Sequence, residues 1–241
     1  YLIEITSKIL THLDPETDQP MVEVILDKAG QKGTGRWTSE IALEMGVPLP
    51  TIHAAVEARG LSSLKEERER AAEKLRGPQL GEVHDPGLID DLHDALYAAK
   101  ICSYAQGMDL LLAASKEHGW ELNLSEIARI WKGGCIIRAR FLNRIQQAYE
   151  KDPGLPNLLL DEELGGFLQH AQGNWRRVVG LAAEHGIPIL SLGASLSYFD
   201  SYRRARLPQN LTQAQRDFFG AHTYERVDRP AGEFFHTRWP E

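Results

Sequence analysis

The chain has 241 residues, 42% hydrophobic and 25% charged, which is enough for a buried core in one large domain or two small ones. Its 27 Lys and Arg against 34 Asp and Glu give a net charge of −7, which argues against nucleic acid as the main partner, because phosphate backbones reward clustered basic residues. Two cysteines, Cys102 and Cys135, make no disulfide framework, no Cys/His cluster suggests a metal, and a reducing, cytoplasmic setting is the simplest expectation.

Taken in order, residues 2–13 space Leu2, Ile5, Ile9, Leu10 and Leu13 at helical intervals. Charged and apolar residues interleave there, so the segment is no signal peptide; it reads as an amphipathic helix entered partway, with something expected upstream. After Pro15 and Pro20, Met21 to Leu26 fits one or two helical turns or a strand. A glycine-rich stretch, "DKAGQKGTGRW", occupies 27–37. A helix is predicted from about Thr38 to Met45, closed by Gly46, and a longer one from Ile52 to Arg76, ended by Gly77 and Pro78.

Residues 88–118 are apolar nearly all round, which predicts a central buried helix. Asn123 offers an N-cap for Leu124–Lys132; Gly133 to Cys135 then break the chain before a helix over Ile136–Tyr149. Further helices are predicted at about 161–171, 174–185 and 188–206. Thr212 and Gln215 stand at capping-box spacing, with Gly220 placed to stop the helix. The tail from 221 to 241 has no clear period, strand alternation is scarce throughout, and no apolar run is long enough for a bilayer. The expected fold is all-α: a multi-helix domain over 1–220 followed by an irregular C-terminal tail, 221–241.

The glycine stretch invites a phosphate-loop reading but fits neither common motif. Lys32 precedes the paired glycines rather than following them, and Gly30, Gly33 and Gly35 run GxxGxG with no convincing strand in front. Glycines, a lysine, the Thr34 hydroxyl and a following helix start still suit an anion. A tight loop with a solvated Lys32 fits the residues equally well. Arg59 sits mid-helix in an apolar context, where arginines are usually solvated. Arg216 lies on the last helix and His222 just past its end; a lone histidine of this kind is more often structural. "EERERAAEK" reads as an exposed face, and Cys135, beside two isoleucines, as a small core residue. There is no HExxH and no GxSxG.

The longer strings are more specific. "ILDKAGQKGTGRWT", "GVPLPTIHAAVEARGLSSLKEER", "IARIWKGGCIIRARFL" and "SLSYFDSYRRARLPQNLTQAQRDFFGAHTYERVD" resemble the C-terminal domain of 6-phosphogluconate dehydrogenases, over essentially the whole chain. The resemblance implies an all-helical half that follows an NADP-binding Rossmann domain. The implied enzyme oxidises and decarboxylates 6-phosphogluconate to ribulose 5-phosphate, without a metal, in the pentose phosphate pathway.

It further implies that Lys32, Thr34 and Arg59 grip the substrate phosphate. In a homodimer, Arg216 and His222 would reach the neighbouring site from the partner's tail, Arg216 to the phosphate and His222 to the sugar acid. The family's acid–base residues and cofactor site lie upstream of Tyr1, so the chain by itself is expected to be inactive. Two other readings are a non-catalytic module that dimerises or binds a phosphosugar, and a related dehydrogenase of an unphosphorylated acid. The latter would leave Lys32, Arg59 and Arg216 without a partner.

Overall fold

A computed structural model describes residues 1–78, 81 and 83–240. The helices in chain order are α1 (Leu2–Leu10), α2 (Met21–Val24), α3 (Thr34–Glu44), α4 (Pro50–Ser63), α5 (Lys65–Lys74), α6 (Leu88–His118), α7 (Leu124–Ile130), α8 (Phe141–Lys151), α9 (Glu162–Glu184), α10 (Leu190–Tyr202) and α11 (Gln209–Gly220). A 3₁₀ turn covers Leu158–Leu160, and the tail holds one antiparallel pair, β1 (Tyr224–Glu225) with β2 (Phe234–Phe235). The all-α expectation holds, and none of these helices is long and apolar enough to cross a membrane. The chain divides into two compact units, Tyr1–Tyr198 and Phe199–Glu241; Glu241, the end of the expected tail, lies outside the described residues.

The first unit is organised by α6 and α9, which pack along each other. On α6 the inward positions are small: Ala95, Ala98, Cys102 and Ala105 are at most 1% exposed. Small residues bring the two axes close, and α9 answers with Leu164, Leu168, Ala171 and Trp175, all fully buried. No position of α6 from Tyr97 to Leu111 is exposed, as a central buried helix requires, and an exposed apolar stripe is confined to its first turns. Its larger residues Ile89, Leu92 and Leu96 fall at helical spacing on the other side and are 78%, 45% and 51% exposed.

Several boundaries differ from the sequence reading, each for a local reason. The long helix expected over 52–76 is two, because Leu64 leaves the helical region (ψ 42°) between α4 and α5. The break lets Lys65 and Arg68 of α5 turn back onto Asp27. The helices expected at 161–171 and 174–185 are one, α9, since Gly173 is tolerated inside a helix whose other positions pack well. Residues 136–140 form turns, so the helix expected from Ile136 starts at Phe141. Cys135 is half-buried rather than in the core, and the neighbouring Ile136 is 66% exposed. Asn123 does cap α7, accepting from the Glu126 amide at 3.1 Å.

A buried polar cluster ties α6 to the 3₁₀ turn and to Tyr198. Asn157 Nδ2 donates to Asp109 Oδ2 at 2.5 Å and to the Tyr198 hydroxyl at 2.8 Å. Asp109 Oδ1 and the Tyr149 hydroxyl are buried with no partner among the described residues. Burial pushes the Asp109 carboxyl up to about 6, against the downward pull of the hydrogen bonds from Asn157 and Tyr198.

The second unit is built around Asp217, fully buried on α11. Its carboxylate accepts from the Thr223 amide (3.0 Å), the Thr237 amide (3.1 Å) and Trp239 Nε1 (2.9 Å), and bonds His236 Nδ1 at 3.0 Å. Burial alone raises its pKa, but these four bonds outweigh it and hold the group well below the carboxylate range. The capping box expected at Thr212 and Gln215 is not one: α11 starts at Gln209, so Thr212 lies inside the helix. The stop falls one residue past Gly220, at Ala221 in the left-handed region.

The Asp109 shift fixes a sign. A carboxyl whose pKa is raised on folding favours the fold while protonated. Its contribution is present below about pH 4 and is lost as pH rises through about 6. Replacing Asp109 by Asn removes this titration and keeps an acceptor for Asn157. Melting curves of the two forms are expected to diverge in favour of the variant as pH rises from about 4 to about 6; a difference independent of pH in that window would overturn the assignment.

Candidate functional site

Three contacts set how α3 and α4 lie together. Ser39 Oγ meets His53 Nδ1 at 2.8 Å; Gly35 lies so close to Val56 that a Cβ there would sit 2.9 Å from its Cγ2; and the Ala29 amide donates to Ser62 Oγ at 2.9 Å. Residue numbers fall along one segment (39, 35, 29) while they rise along the other (53, 56, 62), so the two run antiparallel. Arg59 lies between Val56 and Ser62 in this register; Lys32 and Thr34 lie between Ala29 and Gly35. The structure therefore brings Lys32, Thr34 and Arg59 to one end of the pair, and all three are exposed there.

Helix α3 begins at Thr34, four residues before its expected start, which makes the glycine stretch a helix entrance. Gly33 is the N-cap with φ 101°, a left-handed value that a side chain would resist. No side chain caps the helix. The amides of Thr34, Gly35 and Arg36 have no acceptor among the described residues, leaving donors and the positive end of the helix dipole facing outward. Lys32, Arg59 and the Thr34 hydroxyl add charge and a further donor. The set suits a compact oxyanion, because helix amides and basic side chains together give several charge-assisted bonds.

The approach to this end is held by groups that the sequence did not single out. Asp27 is gripped by Lys65 at 2.7 Å and Arg68 at 2.9 Å. Hydrogen bonds from Lys65 and then Arg68 hold its carboxyl down at about 2. Arg68 also donates to the Asp27 carbonyl (3.2 Å) and the Ser62 carbonyl (3.1 Å), and Ser62 Oγ donates to the Arg59 carbonyl (2.8 Å). A helical pattern read straight across Leu64 puts Lys65 and Arg68 on a solvated face, which hides this use of them.

Arg216 and His222 belong to the second unit. Arg216, exposed on α11, donates to Gln213 Oε1 at 3.2 Å. His222 is flanked by two non-glycine residues in the left-handed region, Ala221 (φ 47°) and Thr223 (φ 60°). A β-branched residue resists that conformation. It is enforced here by the bonds from the Ala221 amide to the Asp217 carbonyl, from the Thr223 amide to the Asp217 carboxylate, and from Gln213 Nε2 to the Thr223 carbonyl. The ring lies over Gly220, where a Cβ would meet His222 Nε2 at 2.7 Å, and edge-on to Phe219. The aim of His222 is therefore set by backbone strain that Asp217 holds in place. His222 also borders an open groove of about 970 Å³ formed with Arg206, Gln213, Tyr224 and Trp239.

Residues 1–239 match the family model described as "6-phosphogluconate dehydrogenase, C-terminal domain". The chain is 59% identical to a decarboxylating 6-phosphogluconate dehydrogenase of Synechocystis sp., with 99% of the chain aligned to 50% of that protein. It is 53% identical to an NADP(+)-dependent, decarboxylating relative from Bacillus subtilis, again with 99% of the chain aligned to 51% of the relative. Among solved structures, Plasmodium falciparum 6-phosphogluconate dehydrogenase, described in apo form and with NADP+ and 6-phosphogluconate, superimposes with a TM-score of 0.93 at 46% identity, covering 99% of this chain and 51% of that one. The chain thus spans about half the length of the relatives it matches. It belongs to the family of 6-phosphogluconate dehydrogenase C-terminal domains.

Proposed function

We propose that this chain is the substrate-binding and dimerising half of an NADP-dependent, decarboxylating 6-phosphogluconate dehydrogenase. The observation that carries the reading is the antiparallel register of α3 and α4, which assembles Lys32, Thr34 and Arg59 around an uncapped helix start. A phosphomonoester is dianionic near neutral pH, and a lysine, an arginine, a hydroxyl and free amides match its oxygens. In this reading Arg216 from a second copy completes the phosphate cluster, and His222 from that copy bonds the sugar-acid portion.

The described residues contain no parallel sheet and no strand–turn–helix unit of the kind that cradles a dinucleotide. In this reading the NADP site lies in the remaining half of the protein. This chain's share of the reaction is binding and orientation. Holding the phosphate, which does not react, anchors one end of the substrate and restricts where its reacting carbons fall; that positioning lowers the barrier without any group here touching them.

The exposed stripe Ile89, Leu92 and Leu96, and the exposed Leu211, Phe218, Phe219 and Phe234 of the second unit, supply apolar surface for the other half and for a second copy. The tail at 221–241, with Arg216 of α11 just before it, is the part we assign to the partner's site. Both cysteines are free, in keeping with a cytoplasmic setting, although some relatives are chloroplastic.

Three outcomes test this. The isolated chain mixed with NADP and 6-phosphogluconate is expected to form no reduced cofactor by absorbance, and appreciable turnover would overturn the half-enzyme reading. In the full-length protein, Arg59→Ala is expected to raise the KM for 6-phosphogluconate by roughly 10- to 100-fold, the worth of a charge-assisted contact, and to leave that for gluconate unchanged. Sedimentation is expected to give a dimer; a monomer would remove Arg216 and His222 from the shared site.

A further inference from the structure

The loop that delivers Lys32 is almost free of backbone order. Between α2 and α3, its only polar contacts among the described residues that reach beyond the loop and the first turn of α3 run to Ser62, Lys65 and Arg68. Fixing the backbone of each such residue costs conformational entropy, so the few tethers decide where the loop lies. The tethers are concentrated where α4 ends and α5 begins. Ser62 Oγ accepts from the Ala29 amide and donates to the carbonyl of Arg59, so one hydroxyl links the loop to the residue that carries the guanidinium. Arg68 spans the Asp27 carboxylate, the Asp27 carbonyl and the Ser62 carbonyl, and Lys65 takes the other Asp27 oxygen.

A single exposed ion pair contributes little and would not order a loop. Here the planar fork of one arginine reaches three acceptors on two segments, and its Nε is buried. This geometry depends on the break at Leu64; in one unbroken helix the first turn of α5 would continue along α4 instead of folding back. Resting on the phosphate-site reading above, we propose that Ser62, supported by Asp27, Lys65 and Arg68, is a positioning residue: it sets the spacing of Lys32 and Thr34 from Arg59 and so makes the site select a phosphorylated over an unphosphorylated sugar acid. None of these four groups need touch the substrate. They act by holding the cationic groups at one separation before it arrives, which reduces the ordering cost of binding.

The test uses the full-length protein with 6-phosphogluconate and gluconate as paired substrates. Ser62→Ala is expected to raise the KM for 6-phosphogluconate about 10-fold, the scale of one lost hydrogen bond plus its unpaired partners, with kcat within about twofold and gluconate unaffected. Ser62→Thr, which keeps the hydroxyl, is expected to restore the KM. Asp27→Asn, at the exposed end of the network, is expected to shift it the same way by about threefold, without altering α4. Equal changes for both substrates, or none for either, overturn the positioning role, while a phosphate-selective effect of Arg59→Ala in the same series leaves the site reading standing. If Arg59→Ala also fails to discriminate between the substrates, the site reading and this inference fall together.

Discussion

The site-bearing pair of helices is fastened to the scaffold by one buried side chain. Gln106, fully buried on α6, accepts from the Thr51 amide at 3.0 Å and donates to the Thr51 hydroxyl at 2.8 Å. Thr51 is in the first turn of α4, where backbone amides have no intrahelical acceptor, so α6 supplies the cap that the sequence of α4 lacks. Both members are buried, and leaving either unpaired would cost about 1–3 kcal/mol per group. The chain of dependence runs outward from there. Small residues let α6 lie against α9; Gln106 fixes the start of α4; α4 receives α3 at Val56; and the end of α4 receives the loop at Ser62.

In the second unit one ionised group plays a comparable part. A buried carboxylate is expensive unless its lone pairs are met, and the four partners of Asp217 meet them. They come from both sides of the hairpin: Thr223 before β1, and His236, Thr237 and Trp239 after β2. The short β1–β2 pair could not hold itself together on its own backbone bonds. Asp217 closes it, and in closing it forces Thr223 into the left-handed turn that aims His222. Arg216 is the adjacent residue on the same helix, so the two groups assigned to the partner's site share one anchor.

Helical periodicity made most of the fold legible, because it reports burial and burial decides where helices lie. It identified α6 to the residue, since Gly87 and Gly119 bound a run that Gly107 alone interrupts. It failed where tertiary contacts overrode it. Nothing in "SSLKEER" announces a break at Leu64, because the groups that reward it, Asp27 and Ser62, are distant in sequence or unremarkable in type. The capping-box spacing of Thr212 and Gln215 was a coincidence of composition inside a helix. The all-round apolarity of α6 reads as central burial, which its middle shows, yet a stripe on its first turns is exposed, and sequence alone cannot separate a core face from an exposed apolar one. Lys32, Thr34 and Arg59 were legible as residue types; their convergence was not, because it depends on the register of two helices.

That register also revises what the glycines mean. GxxGxG looks like a backbone made thin so that an anion can approach, but the glycines divide the labour differently. Gly33 is required by its φ of 101°, which turns the chain into α3. Gly35 is required by Val56, since any Cβ would push α3 away from α4 and carry Thr34 with it. Neither requirement involves a ligand. The anion site we propose rests on what those two glycines permit: an uncapped helix start brought beside Arg59, with Lys32 just ahead of it. This accounts for the failure of the stretch to match either nucleotide motif, for those motifs space glycines around a bound diphosphate, whereas here the spacing is set by helix packing.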